Sequence, residues 1–240
     1  GWSDYFALMV TTDWAKATIN DGPNPRPMGT YVFGQPTNGS GIRTYPYSTN
    51  FAVDPWTYAK LPQTGGESHN VGEVWATVLW DMTWALIQDK GINTNIYDGT
   101  GTGGNNIAMN LVTTGMKLQK CSPGFVSGRD GILKADTVLY GGQYSCIIWN
   151  AFAKRGLGIY ANEGSTNSTN DGTADFTSPN SAIFTKHVDK DSAQEGEQLT
   201  YSFEIKTGFC GGIANQKIVD TIPTNTTYVS GGTYNAVNRT

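Results

Sequence analysis

The chain has 240 residues, of which 15% are charged, and its 16 Lys and Arg against 20 Asp and Glu give a formal net charge of -4. Because nucleic-acid surfaces need clustered cations, this composition argues against a broad nucleic-acid interface. The sequence contains no run of about 18 apolar residues, so it offers no candidate membrane span. With only 2 His, the chain alone excludes a multi-histidine metal motif of the H-E-x-x-H kind.

The first residues are predicted to form a helix, because Trp2, Phe6 and Met9 lie at helical spacing. Gly1 has no capping residue before it, and we expect the chain to begin inside a helix of a longer protein. The following residues, 13–60, are rich in Gly, Pro, Asn, Thr and Tyr. Their turn signals predict loops, with a short hairpin around Tyr31–Phe33. Such long irregular stretches in domains are often functional.

Four more helices are predicted in the middle of the chain. Apolar residues from Val71 to Leu86 recur at i, i+3 and i+4, and Gly91 provides a stop signal. The other three are expected at Asn105–Gln119, from the cap Ser122-Pro123 to about Leu139, and at Ser145–Arg155 before Gly156.

After residue 160 the pattern changes twice. Residues 161–180 are polar and Gly-rich, which predicts a linker. From Leu199 to Ile205 apolar and polar residues alternate, and Ile218-Val219 and Tyr228-Val229 suggest more strands. The predicted fold class is therefore a mainly α helical lobe over residues 1–160, followed by an incomplete β-sandwich over residues 181–240.

Cys121 and Cys146 form a candidate disulfide, which would suit an oxidising, secreted setting. The helix between them would be roughly 22 Å long, whereas bridged Cα atoms lie within about 7 Å of each other. The loop before Cys146 would therefore have to run back along that helix. Two buried thiols are the alternative. Cys210 has no evident partner and is expected to be free or paired beyond Thr240.

Five segments together resemble the fungalysin family of secreted zinc metallopeptidases, which has a thermolysin-like arrangement. The resemblance covers about residues 1–160, in matching order and spacing. The tail is similar to a conserved β-sandwich repeat of bacterial surface and secreted proteins, through Gly196–Tyr201 and Asp220–Pro223. The five segments are GWSDYFA (Gly1–Ala7), GIRTYPYST (Gly41–Thr49), SHNVGEVWATVLWDMTW (Ser68–Trp84), NNIAMNLVTTGMKLQKCSPGFVSGRDGILKAD (Asn105–Asp136) and CIIWNAFAKRGLG (Cys146–Gly158).

This resemblance implies a peptidase whose zinc ion is bound by two His of H-E-x-x-H and a downstream Glu. In the family that Glu belongs to a G-E-G-W-S-D segment, and this chain begins at the Gly after it. All zinc ligands and the general-base Glu are therefore expected before Gly1, with none in this chain, which alone should be inactive. The parent protein should bind zinc, with calcium as a second candidate ion. The expected partners are a polypeptide substrate and the missing N-terminal lobe, in an extracellular location.

Three residues match functional positions of the family. Asp4 resembles the Asp that accepts a hydrogen bond from a zinc-bound His, and otherwise would be a surface residue in a first helical turn. His69 resembles the histidine that donates a hydrogen bond to the oxyanion. The alternative is that it caps the helix or is a structural loop histidine. Arg43 resembles the arginine that binds the substrate carbonyl on the leaving-group side. The alternative is that it forms an ion pair that stabilises its loop.

Other charged residues are expected to have structural roles. Glu73 matches no catalytic position and is expected to be a first-turn helix charge. His187 lies in a strand-like stretch and is expected to be structural, and Arg129 and Arg155 are expected to be helix-face charges or caps. The leading function is thus part of a secreted zinc endopeptidase. The alternative is a non-catalytic extracellular surface or adhesion protein that uses the helical lobe and β-sandwich as a scaffold or binding module.

Overall fold

A computed structural model describes residues 1–179, 183–206, 210 and 218–233. A helical lobe comes first, and a two-stranded antiparallel sheet follows it. This arrangement confirms the predicted class, a mainly helical lobe with an incomplete sheet. The helices are α1 (Trp2–Thr11), α2 (Ser68–Lys90), α3 (Gly104–Leu118), α4 (Phe125–Tyr140) and α5 (Ser145–Lys154), with 3₁₀ turns at Thr30–Phe33 and Tyr58–Thr64, and the strands are β1 (Ile183–Val188) and β2 (Tyr201–Lys206).

Helix α2 is the centre of the lobe, and α1, α3 and α5 pack around it. Its residues are buried on nearly every face, which is the pattern of a core helix rather than of a surface helix. None of the described helices is both long and apolar enough to cross a bilayer. The side chains that α2 buries include Val74, Trp75, Val78, Leu79, Trp80, Met82, Trp84, Leu86 and Ile87.

The start of α1 lies directly against α2 at a pair of glycines. A Cβ atom on Gly72 would lie 2.4 Å from the Gly1 nitrogen, so only glycine permits this approach. Asp4 follows Gly1 by about one helical turn, and His69 precedes Gly72 by about one turn. The glycine contact therefore brings the Asp4 end of α1 to the beginning of α2.

The Tyr31–Phe33 segment is a 3₁₀ turn and not the predicted hairpin. Gly29 and Gly34 flank it with left-handed φ values of 68° and 62°, which suit glycine and close a tight turn on each side. The strand-like pairing of this region occurs instead between Arg26 and Tyr47, which exchange two backbone hydrogen bonds.

Helix α4 begins later than predicted, because Gly124 and not Ser122 is its N-cap. Ser122 has a φ of 51°, outside the helical region. The Ser127 hydroxyl accepts a hydrogen bond of 2.8 Å from the Gly124 N–H and so stabilises this start. The other predicted helices agree with the structure to within three residues at each end.

In the C-terminal part, β2 coincides with the predicted alternating segment, and it pairs with β1 in a register that places Val188 opposite Tyr201. The strands predicted at Ile218-Val219 and Tyr228-Val229 are wrong, since these residues lie outside any strand and are exposed. Their short apolar pairs lack the alternation that β2 has over six residues.

The polar segment after residue 160 contacts the helical lobe. Asn162 forms an antiparallel bridge with Thr173, and the Tyr58 hydroxyl donates a hydrogen bond of 3.2 Å to the Asn162 carbonyl. A linker over 161–180 and a domain boundary there remain predictions.

The disulfide joins Cys146 to Cys210, with a Cα–Cα separation of 5.2 Å and 64 residues between them in sequence. The predicted Cys121–Cys146 pair is wrong, and Cys121 is an exposed free thiol. The reason is the intervening helix, because α4 carries the chain away from Cys121 over a length greater than the Cα separation that a disulfide can bridge. The bridge instead ties the start of α5 to the chain beyond β2.

Candidate active site

Asp4 on α1 and Arg43 in the following loop form a bidentate ion pair across 39 residues of sequence. Arg43 Nε lies 2.6 Å from Asp4 Oδ2, and Arg43 Nη2 lies 2.9 Å from Oδ1. Their side chains are only 14% and 10% exposed. Asp4 is therefore not a surface residue, and Arg43 does make an ion pair that fixes its loop.

Tyr47 completes the surroundings of Asp4. Its hydroxyl donates a hydrogen bond of 2.5 Å to Asp4 Oδ2, and its side chain is buried. Burial alone would raise the pKa of Asp4, but the hydrogen bonds from Arg43 and Tyr47 outweigh it and hold that pKa below its ordinary value. Burial and the neighbouring Asp4 carboxylate raise the pKa of Tyr47. Sequence reasoning missed Tyr47, although it lies within the same resemblance segment as Arg43.

His69 lies in the first turn of α2 beside Glu67, which is the N-cap of that helix. Glu67 Oε2 accepts the backbone N–H groups of His69 and Asn70, both at 2.9 Å, and Oε1 lies 2.6 Å from His69 Nδ1. Hydrogen bonds from the backbones of Asn70 and His69 and from the His69 ring lower the pKa of Glu67 to about 2. The His69 side chain is 68% exposed, so it is accessible to a bound molecule.

Glu73 is buried, with 2% exposure, and is not the exposed first-turn charge that the sequence suggested. Its Oε1 accepts the Thr44 backbone N–H at 2.9 Å, and its Oε2 accepts the Trp56 indole N–H at 3.0 Å. Its neighbours on α2, Gly72 and Val74, are buried as well.

The structure thus brings Asp4 and Arg43 into direct contact and connects His69 to them through α2. Thr44, the residue after Arg43, is bonded to Glu73, and Glu73 lies four residues after His69 on the same helix face. The hydrogen bonds of the His69 side chain go to Glu67 rather than to Arg43 or Asp4.

Arg155 is fully buried, which corrects its prediction as a helix-face charge or cap. Its Nη1 donates to the backbone carbonyls of Asp54 and Trp56 at 2.6 and 2.8 Å, and its Nη2 donates to the Ser48 carbonyl at 2.8 Å. Its Nε pairs with Asp81 on α2. Arg155 therefore fixes the loop that follows Tyr47, because a fork of donors can hold several carbonyls at once.

Arg129 is also buried, with 5% exposure, so its prediction as a helix-face charge is wrong as well. Its Nη1 donates to the carbonyls of Leu157 and Gly158 at 3.1 and 2.6 Å. His187 lies in β1, in agreement with its predicted strand. Within the described residues, no group of three or more His, Cys, Asp and Glu side chains is placed to hold a metal ion.

Comparison with known proteins relates the first two thirds of this chain to metallopeptidases. The model of the fungalysin metallopeptidase (M36) family matches residues 1–161. Extracellular metalloproteinase MEP of Pyricularia oryzae is 44% identical over 164 residues, which are 66% of this chain and 24% of that protein. Extracellular metalloproteinase 2 of Arthroderma gypseum is 42% identical over 162 residues, which are 66% of this chain and 24% of that protein. Extracellular metalloproteinase 10 of Coccidioides posadasii is 41% identical over 177 residues, which are 70% of this chain and 26% of that protein. The chain spans about a quarter of the length of these curated relatives.

Proposed function

Because the chain belongs to the fungalysin family of metallopeptidases, we propose that its first 160 residues form the C-terminal helical lobe of the catalytic domain of a secreted zinc endopeptidase. The zinc ligands, two His and a Glu, and the general-base Glu would be supplied by a segment of the parent protein before Gly1. Zinc, when bound, polarises the scissile carbonyl and lowers the pKa of a bound water. The roles of this chain are to orient a ligand, to hold the substrate and to stabilise developing charge.

The observation that carries the proposal is the Asp4 carboxylate. It accepts three hydrogen bonds, two from Arg43 and one from Tyr47. A carboxylate offers about four acceptor positions, so Oδ1 retains one for a further N–H group. Its lowered pKa keeps it ionised near neutral pH. A carboxylate fixed in this way is suited to accept the ring N–H of a zinc-bound His and to set the tautomer and orientation of that ring.

Arg43 supplies donors for a substrate carbonyl. A guanidinium carries five N–H groups in a fixed plane, and the ion pair with Asp4 uses two of them. The ion pair fixes the plane and leaves the other donors for an incoming peptide. The loop-stabilising role and the substrate-binding role of Arg43 are therefore compatible. The Nε and Nη2 donors bind Asp4, and the remaining donors are left for the substrate.

His69 supplies a donor for the oxyanion. A carboxylate only accepts hydrogen bonds, so the contact with Glu67 places a proton on His69 Nδ1. With Nδ1 bonded to Glu67, Nε2 is the ring nitrogen left for the oxyanion, and it donates when it carries a proton. Losing one such donor costs about 100- to 1,000-fold in turnover.

Variants of the two histidines in the parent protein test this function. With His69→Ala, we expect casein or peptide turnover to fall about 100- to 1,000-fold while one zinc per molecule is retained. The matched control is His187→Ala in β1, which should leave turnover unchanged. Loss of zinc together with activity in His69→Ala would show that His69 is a ligand or a structural residue.

The gene sequence before Gly1 tests the metal directly. We expect H-E-x-x-H upstream and Gly-Glu just before Gly1. Residues 1–240 by themselves should bind no stoichiometric zinc and should not digest casein. One tightly bound zinc in this chain would contradict the proposed location of the ligands, and absence of H-E-x-x-H from the parent would favour the non-catalytic surface protein.

A further inference from the structure

Glu73 is a buried carboxylate without a role in the function proposed above. Both of its contacting partners are neutral N–H donors, the Thr44 backbone and the Trp56 indole. Burying a carboxylate is costly unless its oxygens are hydrogen-bonded. Each oxygen of Glu73 accepts one hydrogen bond, so the two donors of the loop satisfy both oxygens.

The two donors lie at the two ends of one loop segment. Thr44 directly follows Arg43, and Trp56 lies twelve residues further along. The ring of Tyr45 packs edge-on against the Trp56 indole, with centroids 5.6 Å apart, which closes the segment on itself. Glu73 therefore holds both ends of the segment that begins beside Arg43.

Glu73 also shares a helix with His69. The two residues are four positions apart on α2 and thus lie on one face, about one turn from each other. A hydrogen bond of 2.9 Å connects Glu73 to the residue next to Arg43. Arg43 is therefore connected to His69 through its neighbour Thr44, the Glu73 carboxylate and one turn of α2.

We propose that Glu73 is a positioning residue for peptide hydrolysis, which fixes the Arg43 guanidinium at its working distance from His69. This inference rests on the proposed function, in which Arg43 holds the substrate carbonyl. Glu73 itself touches neither substrate nor metal and acts through Thr44 and Arg43. Displacements of about 1 Å from changes away from the chemistry can lower rates about 100-fold, so a loosened loop should be measurable in catalysis.

The decisive variant in the parent protein is Glu73→Gln. Glutamine keeps the size of the side chain but replaces one acceptor oxygen by an NH₂ group, which would face an N–H donor of Thr44 or Trp56. We expect kcat/KM to fall about 10- to 100-fold. In an Arg43→Ala background the same substitution should have little further effect, because the residue that it positions is gone.

A purely structural carboxylate would behave differently, and Glu163 is the matched control. Its Oε2 accepts the Ser127 N–H at 2.7 Å and its Oε1 pairs with Lys120, so it too ties a loop to a helix. Glu163→Gln should lower the melting temperature without changing kcat/KM per folded molecule. If the effect of Glu73→Gln adds fully to that of Arg43→Ala, the positioning role is overturned.

Hydrogen exchange separates this inference from the proposed function. In the wild-type protein the Thr44 amide and the Trp56 indole N–H should exchange slowly, and in Glu73→Gln at least one should exchange faster. If the wild-type parent does not hydrolyse peptides, the proposed function fails while this measurement still reports on the loop. Equal exchange in both proteins overturns the positioning role. If Glu73→Gln does not fold, Trp56→Phe removes one of the two donors and should show the same non-additivity with Arg43→Ala.

Discussion

Asp4 receives both Arg43 Nε and Arg43 Nη2, at 2.6 and 2.9 Å, so a single ion pair joins helix α1 to the loop before α2. Both side chains are largely buried. A bidentate pair of this kind fixes orientation as well as distance, because the two donors lie in one plane. The relative position of two proposed functional groups is therefore determined by one contact.

Asp4→Asn should lower both stability and zinc affinity. Asn keeps the shape of Asp but leaves the Arg43 charge without its partner, and removing one member of a largely buried pair costs about 3 kcal/mol. In the parent, losing the group that orients a ligand should weaken zinc binding about 10- to 100-fold. Chemical denaturation and zinc titration measure these effects. Asp13→Asn is the control: its pair with Lys16 is exposed to solvent, so this substitution should leave stability almost unchanged.

The same pair predicts a pH dependence. The pKa of Asp4 is lowered in the folded protein, so the folded state binds its proton less readily than the unfolded state does. The stability from this group is present above the ordinary Asp pKa near 4 and is lost as pH falls through the folded value. The difference in melting temperature between wild type and Asp4→Asn should therefore shrink below about pH 4. A difference that stays constant down to pH 2 would contradict the assignment.

Glu67 variants separate helix capping from orientation of the His69 ring. Glu67→Gln retains an acceptor for the backbone N–H groups of α2 but loses the charge beside His69. We expect kcat of the parent to fall about tenfold, in line with the effect of a group that orients a catalytic side chain, with little change in melting temperature. Because the pKa of Glu67 is about 2, wild-type Glu67 remains ionised throughout pH 5–8, and the two proteins are compared in this range.

Two further variants check that interpretation. Glu67→Asp keeps the charge and is itself a favoured N-cap residue, so it should retain more activity than Glu67→Gln. Glu197→Gln, an exposed carboxylate near β2, should have no effect on kcat. Equal activity of Glu67→Gln and wild type would show that Glu67 only caps the helix.

Local patterns in the sequence predicted the helices but not the contacts between distant residues. The spacing from Val71 to Leu86 and the stop at Gly91 depend only on neighbours within a few turns, and α2 lies where they indicate. The pairing of Asp4 with Arg43 joins residues 39 positions apart, one on α1 and the other in the loop before α2. Periodicity carries no information about such a pairing.

The site residues illustrate the same limit. The resemblance led to His69, Arg43 and Asp4 as proposed site residues. It did not indicate the burial of Glu73, because a single carboxylate in a helix is normally exposed. Its burial depends on the Thr44 and Trp56 donors, which the loop brings to α2 only in the folded state.

The disulfide is testable by peptide mapping without reduction. We expect one cross-linked pair that contains Cys146 and Cys210, and alkylation of Cys121 in the native protein. Cys146→Ser and Cys210→Ser should each lower stability by about 2–4 kcal/mol, because the bridge closes a long loop. Cys121→Ser is the control and should leave stability unchanged. A cross-linked peptide that contains Cys121 would contradict the pairing.

Asp54→Asn should remove a pH-dependent loss of stability. Asp54 is 1% exposed, and burial raises its pKa to about 6 in spite of the hydrogen bond from Thr77 and the nearby Arg155 charge. The folded state therefore holds its proton more tightly than the unfolded state, whose pKa is about 3.9. The contribution of Asp54 to the free energy of unfolding therefore falls by roughly 3 kcal/mol in total as pH rises from about 4 to about 6.

Asparagine has no charge to bury and can keep both contacts of Asp54. Its carbonyl can accept the Trp56 N–H, and its NH₂ group can donate to the Thr77 hydroxyl, which turns to accept. We therefore expect Asp54→Asn to match or exceed wild-type stability at pH 7.5 and to show a flatter melting temperature between pH 4.5 and 7.5. Asp98→Asn, at an exposed carboxylate whose pKa is lowered, should not flatten that profile. If Asp54→Asn is clearly less stable than wild type at pH 7.5, attraction to Arg155 outweighs the cost of burial and the pKa of Asp54 is not raised in the native protein.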